Sequence, residues 1–352
     1  HGALSFWDFA AAAPYIDIEM TPDGDSAARK DAVFISPHKL IGGPGTPGLL
    51  VARKELFTNS VPDVPGGGTV AYVNPTDHRY LDDIEHREEG GTPAIAESIR
   101  AGLVFQLKDA VGTEAIRDRE ESFIKRAIAS WETNPNVDVL GNHDADRLSI
   151  VSFVVKHGER HLHHNFVVAL LNDLFGIQSR GGCSCAGPYG HRLLGIDIDR
   201  SHEFEREITR GCEGIKPGWV RVNFNYFISE AVFSFILDAV HLVANEGWKL
   251  LPSYRFDPPT GLWHHRSGRG APPMSLEDIS YAGGSMQYRH RRVTTPDSEL
   301  SGYLALAAQV LTSAPASLPE PLGMPEVTAD FEHLRWFPLP DELRSELHAD
   351  TQ

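Results

Sequence analysis

Two short runs of aromatic and apolar residues constrain this chain more than any other feature: "ALSFWD", ending at Asp8, and "DAVFIS", ending at Ser36. Each reads as a buried strand. About two dozen residues separate them, enough for the crossover that parallel neighbours require. The spacing suits a βαβ unit. In open parallel sheets ligands collect at the carboxyl ends of strands, where Asp8 and the group from Ser36 to Lys39 would sit. "PGLLVARKELF" follows as another strand and turn.

Further along, "PAIAESIRAGLVFQLKDAV", residues 93–111, places Ile95, Ile99, Leu103 and Leu107 at helical spacing, with Pro93 suited to a first turn. Thr113 reads as the cap of a second helix running toward Trp131. The texture then changes. "VDVL", a "GNHDAD" turn, "LSIVSFVV" and "WVRVNFNYF" are strand-like, separated by a helical 164–175 that stops at Gly176. A helix capped by Ser229 closes this α+β module. From 248 the chain is rich in proline, glycine and arginine, which favours an extended wrap or linker over a core, with helices at 297–312 and near 340–348.

With 352 residues, 41% of them hydrophobic and 9% aromatic, the chain can fill two or three cores. Its 32 basic and 48 acidic side chains give a formal charge of −16, which disfavours nucleic acid and anionic membranes as partners. The basic run Arg289-His290-Arg291-Arg292 is short and reads as a solvated or salt-bridged face. No apolar run is long enough to span a membrane, since 219–245 is broken by Arg221, Glu230, Asp238 and His241. Three cysteines, an odd number, argue against a disulfide framework and for a reducing compartment, by default the cytoplasm. The chain opens at His1 directly into a strand-like run, so the natural N-terminus is expected upstream.

Lys39 is a candidate for chemistry. A lysine at a strand-to-loop turn is ordinarily a surface charge. One at the end of a buried strand and before "GGPGTPG" is poorly solvated, which leaves a neutral amine available for Schiff-base chemistry. Ser36 and His38 offer phosphate donors, and the glycines allow close backbone approach. An aspartate such as Asp8, at the end of the neighbouring strand, can keep a pyridine nitrogen protonated.

Asp8, then Ser36-Pro37-His38-Lys39, then "GGPGTPG" resembles the cofactor segment of the class V aminotransferase and cysteine desulfurase family. The resemblance implies pyridoxal 5'-phosphate as cofactor. Lys39 would hold its aldehyde, Asp8 its ring nitrogen, and Ser36 and His38 its phosphate. "EEGGTPAIAESI" is similar to the family's Gly-Thr-Pro stretch, so Thr92 would reach the phosphate of the other subunit's cofactor in a homodimer; alternatively it caps the helix after Pro93. The implied fold class is α/β: the C-terminal part of a fold-type I transferase large domain, with a mainly parallel sheet, over 1–115. A smaller α+β domain over 116–247 and a C-terminal extension over 248–352 follow. The family's N-terminal part, with the ring-stacking residue and main phosphate loop, has no counterpart in the chain.

"SRGGCSCAGPYG" carries Cys183 and Cys185. The pair reads as inert small residues, a redox pair, or a metal site helped by His161, His163 and His164; no closed tetrahedral set forms, so no metal is expected and the histidines read as packing or solvent-facing. In the family this position resembles the loop of the desulfurase nucleophile. Arg180 followed by Cys185-Ala186-Gly187-Pro188 fits, which implies Cys185 as the thiolate that attacks sulfur. Arg221 resembles the arginine that clamps the substrate α-carboxylate; it also reads as a strand arginine paired with an acidic neighbour. Two positions depart from the pattern: Ala11 stands where desulfurases place a glutamine, and Cys183 where a histidine is common. The implied activity is cysteine desulfuration through a Cys185 persulfide, passing sulfur to an acceptor. An epimerase, transaminase or β-lyase without a thiol nucleophile is the alternative, and a non-catalytic binding module the alternative from another class.

Overall fold

The computed structural model describes residues 2–183, 187–268, 270, 274–288, 294–313, 319–323 and 325–350. It divides into two units, residues 1–119 and 120–352.

In the first unit, strand β1 (Phe6–Asp8) pairs parallel with β2 (Ala32–Ile35), placing Asp8 opposite Phe34. Strand β3 (Leu49–Ala52) pairs with β2 antiparallel. The sheet is therefore mixed and not mainly parallel as expected. The connection from β2 to β3 is a proline- and glycine-rich loop that cannot form a crossover helix, so the chain returns antiparallel. The crossover from β1 to β2 also differs from expectation. It is built of turns and one 3-10 turn, Pro22–Gly24, because Pro14, Pro22 and Gly24 interrupt any helix.

A hairpin of β4 (Val70–Val73) and β5 (His78–Tyr80) follows, then the short helix α1 (Ile84–Arg87) and the longer α2 (Ile95–Val111). The stripe read from the sequence does not face this unit's core. Ile95, Ile99, Leu103 and Leu107 are 62%, 64%, 57% and 43% exposed, whereas Ala101 and Val104 are buried. Val104 packs with Ala13 and Leu40 in a small core, with Phe9, Ile18, Ile35 and Phe105 around it. On the sheet, Phe6, Trp7, Phe34 and Leu50 are exposed as well.

The unit boundary falls within α3 (Thr113–Trp131). In the second unit an antiparallel sheet runs in the order β6 (Val137–Val139), β7 (Ile150–His157), β10 (Trp219–Asn223), β9 (Arg180–Gly182), with β8 (Arg160–His161) beside β7. Between these strands lie α4 (His164–Phe175), α5 (Gly187–Leu193) and α6 (Ile198–Thr209). Gly176, at φ 66°, ends α4 as a left-handed cap. Ser229 caps α7 (Glu230–Glu246), its hydroxyl accepting the Val232 N–H at 3.1 Å.

Alternation places Val151, Phe153 and Val155 of β7 and Val220 and Val222 of β10 in one core with Trp131, Phe166, Leu170 and Phe233. The region after 248 is more than a wrap. Its hairpins β11 (Tyr254–Asp257) with β12 (Leu262–His265) and β13 (Ile279–Ser280) with β14 (Gln287–Tyr288) precede helices α8 (Leu300–Thr312), α9 (Ala329–Leu334) and α10 (Arg344–Asp350). Tyr254, Phe256, Trp263, Leu311, Phe331 and Phe337 from this stretch join the same core. Large apolar side chains spaced between the prolines outweigh the loop-forming composition.

Candidate active site

The first cluster of expected site residues lies in the first unit. Asp8 is the last residue of β1, and its Oδ1 accepts the Ala10 N–H at 2.7 Å, so the carboxylate turns across the strand end. The parallel register puts the end of β2, and hence Ser36, beside it. Ser36 opens a 3-10 turn, Pro37–Lys39, in which the Lys39 N–H donates to Ser36 O at 3.0 Å and Leu40 N–H to Pro37 O at 3.0 Å. Pro37 and Leu40 are buried and anchor the turn; His38 and Lys39 project from it exposed. This corrects the expectation of a poorly solvated lysine. The turn carries its two apolar residues, Pro37 and Leu40, inward and leaves the lysine side chain pointing outward.

The glycines have a geometric cause. A Cβ on Gly43 would sit 2.0 Å from Pro37 O, so only glycine lets the loop fold back on the lysine turn. Arg100 of α2, which the sequence reading missed, donates from Nη1 to Pro44 O at 2.8 Å and braces the loop. Thr92 is exposed and does not cap α2: the cap position is Ala94, with no side-chain bond.

The second cluster lies in the second unit. Cys185 lies outside the described residues. Arg221 on β10 stands opposite Ser152 of β7 on one side and Arg180 of β9 on the other. Directly paired residues share a sheet face, so two guanidinium groups are neighbours there. That face, opposite the core, forms a cavity of about 410 Å³ lined by Ile150, Ser152, Trp219 and Arg221, and by Arg147 and Tyr189, which no sequence signal singled out.

Cys183 is held: its thiol donates to Pro217 O at 2.7 Å, and burial pushes its pKa up. The histidines do packing work. His163 is fully buried against Trp336, Phe337, Phe256 and Trp263; its Nδ1 accepts the Asn165 N–H at 3.1 Å and its Nε2 lies 3.1 Å from Gly214 O, as the neutral tautomer requires. Burial holds His163 and His164 below the ordinary imidazole pKa. Among the described residues no group of three histidine, cysteine or carboxylate side chains is placed to bind a metal ion, and no helix is long and apolar enough to cross a membrane.

An α/β chain whose parallel strands end in an aspartate and a lysine-bearing turn, followed by a sheet with an arginine-lined cavity, falls among the α/β proteins with a candidate cofactor lysine. The family model for Aminotransferase class-V matches residues 1–201, and the chain belongs to that family. A "Probable cysteine desulfurase" of Halobacterium salinarum is 31% identical over 210 residues, 60% of this chain and 48% of that protein. Another of that description from Staphylococcus aureus is 27% identical over 188 residues, 53% of this chain and 43% of that one. The chain thus spans about half the length of the curated relatives it matches. A cysteine desulfurase from Thermococcus onnurineus superposes with a TM-score of 0.54 at 25% identity, over 69% of this chain and 53% of that one. One from Escherichia coli shares the fold at 20% identity with a TM-score of 0.53, over 68% and 51%.

The residues present fit pyridoxal phosphate by their chemistry. Lys39 supplies a primary amine, Asp8 an oriented carboxylate at the neighbouring strand end, and Ser36 and His38 hydrogen-bonding groups on one turn.

Proposed function

We propose that this chain carries the lysine and thiol parts of a pyridoxal-phosphate-dependent enzyme of fold-type I that acts on a small amino acid, in the manner of a cysteine desulfurase. The observation that carries the reading is the parallel register of β1 and β2, which sets Asp8 beside the start of the Lys39 turn. The relatives named cysteine desulfurase support it.

Bound there, the cofactor would supply an electron sink for negative charge at the substrate α-carbon. Lys39 would hold its aldehyde carbon, and the Lys39 Nζ would move the substrate α-proton. Asp8 keeps the ring nitrogen protonated by accepting its N–H. Ser36, His38 and Thr92 donate to phosphate oxygens, Thr92 to that of a partner in a homodimer. The exposed apolar stripe of α2 and the sheet face support such pairing. Arg221 clamps the substrate carboxylate with its planar fork. Cys185 attacks the substrate sulfur as thiolate, so that the C–S bond breaks, the thiol becomes a persulfide and the amino-acid carbon skeleton leaves as alanine. An acceptor then takes the sulfur.

Adding pyridoxal phosphate and following its visible-range absorbance tests the cofactor assignment: a band forms with the chain and is lost in Lys39→Ala. Sulfide and alanine release from cysteine then tests the thiol. Turnover unchanged in Cys185→Ala removes Cys185 from the reaction and favours a β-lyase or transaminase reading, in which that side chain only lines the pocket.

A further inference from the structure

The cavity on the polar face of the second sheet carries more positive charge than one carboxylate requires. Arg221 from β10 and Arg147 from the turn before β7 both line it, and among the described lining residues the one carboxylate is the exposed Asp146. Arg147 is tied at one end only: its Nη2 donates to Asn142 O, while its Nε is buried without a hydrogen-bond partner among the described residues. Among the described residues no carboxylate forms an ion pair with Arg147 or with Arg180, the cross-strand neighbour of Arg221. A buried guanidinium N–H left unbonded is costly. An anion beside Arg147 relieves that cost.

The surroundings of Arg147 are shaped for a small group. Gly141 stands at φ 99°, and a Cβ there would lie 3.4 Å from Arg147 Nη2 and 3.6 Å from the Tyr189 hydroxyl. The missing side chain leaves a gap between a guanidinium and a hydroxyl, both donors. Across the sheet, Arg221 and Ser152 form a second donor pair, in register on adjacent strands. The cavity, about 410 Å³, has the size of a small-molecule site.

We propose that this cavity takes an amino acid whose side chain ends in an anion, with Arg221 and Ser152 on the α-carboxylate and Arg147 and Tyr189 on the distal anion. The inference rests on the reading of Arg221 as the α-carboxylate clamp. It narrows the small amino acid of that reading to one with an ionised side chain. Cysteine as its thiolate and aspartate meet this description; asparagine, the neutral isostere of aspartate, does not.

The test is calorimetric binding of L-aspartate and L-asparagine to the full chain, with no turnover needed. Aspartate is expected to bind at least about tenfold more tightly, the worth of one charge-assisted contact. Arg147→Gln erases that preference, Arg147→Lys retains part of it because the charge stays, and Arg221→Gln weakens both ligands alike. Circular dichroism of each variant confirms that it is folded. Equal affinities, no binding of either amino acid, or a preference that survives Arg147→Gln overturns the proposal. The cofactor absorbance of the unmodified chain tests the parent reading separately. A normal band without an aspartate preference overturns only this inference.

Discussion

Glu120, on α3, is 4% exposed, and its one hydrogen bond among the described residues is from the Tyr226 N–H to Oε1 at 3.0 Å. Burial raises its pKa from the ordinary 4.5 to about 7, against the lowering effect of that N–H. Replacing it by glutamine keeps the acceptor and the shape while removing the charge. Because the folded value lies above the unfolded one, the folded chain holds the proton more tightly between pH 4.5 and 7. The stability this contributes is fully present below pH 4.5 and is lost as pH rises through about 7. At about 1.36 kcal/mol per pKa unit, the rise from 4.5 to about 7 amounts to roughly 3 kcal/mol. Urea denaturation of both proteins at pH 5 and pH 8 measures it. Any difference in packing between glutamine and the neutral acid cancels in the comparison, leaving Glu120→Gln favoured by about 2–3 kcal/mol more at pH 8 than at pH 5. A gain that is the same at the two pH values would refute the reasoning, since it would show that the carboxyl is not ionised against its burial.

Three further outcomes follow from the geometry. In the Glu120→Gln background, where the opposing titration is absent, stability falls as pH drops below 6.5, because His163 and His164 are held neutral and the unfolded chain protonates first; two such groups give a slope approaching about 2.7 kcal/mol per pH unit, and a flat profile contradicts their burial. Arg335, held between Glu332 and Glu342 with its side chain 2% exposed, leaves two carboxylates facing each other when replaced by alanine, so Arg335→Ala costs about 3–5 kcal/mol in thermal or urea unfolding; a cost under about 1 kcal/mol contradicts that network. Iodoacetamide at neutral pH labels Cys185 ahead of Cys183 and Cys212, whose pKa values burial raises; peptide mapping that finds Cys183 modified first removes the assignment of roles in the Cys-x-Cys pair.

What could be read from the sequence followed the local rules. The strands ending at Asp8 and Ile35, the caps at Ser229 and Gly176, and helix α8 are set by apolar runs and by residues with one dominant conformational use. What could not be read depends on partners distant in sequence. The stripe of α2 predicts an inward face, yet a stripe says only that a face is apolar and not what covers it; in this unit Ala101 and Val104 take the inside. The crossover from β1 was expected to hold a helix because its length allows one, and prolines within it decide otherwise. The stretch after 248 has the composition of a linker but spaces Tyr254, Phe256, Trp263 and Phe337 so that they reach the core around His163. At the candidate site, Arg221 stood out because it lies within a recognisable strand segment, whereas Arg147 and Tyr189 join it only through the folding of a turn and a short helix.

The central claim is that Lys39 is the residue to which pyridoxal phosphate attaches. Incubating the chain with the cofactor, reducing with borohydride and mapping peptides by mass spectrometry tests it most directly. The account predicts one pyridoxyl-modified peptide, containing Lys39, that disappears in Lys39→Ala and is diminished in Gly43→Ala, where a Cβ would meet Pro37 O at 2.0 Å. Modification at another lysine, or an unmodified Lys39 peptide under saturating cofactor, would contradict it.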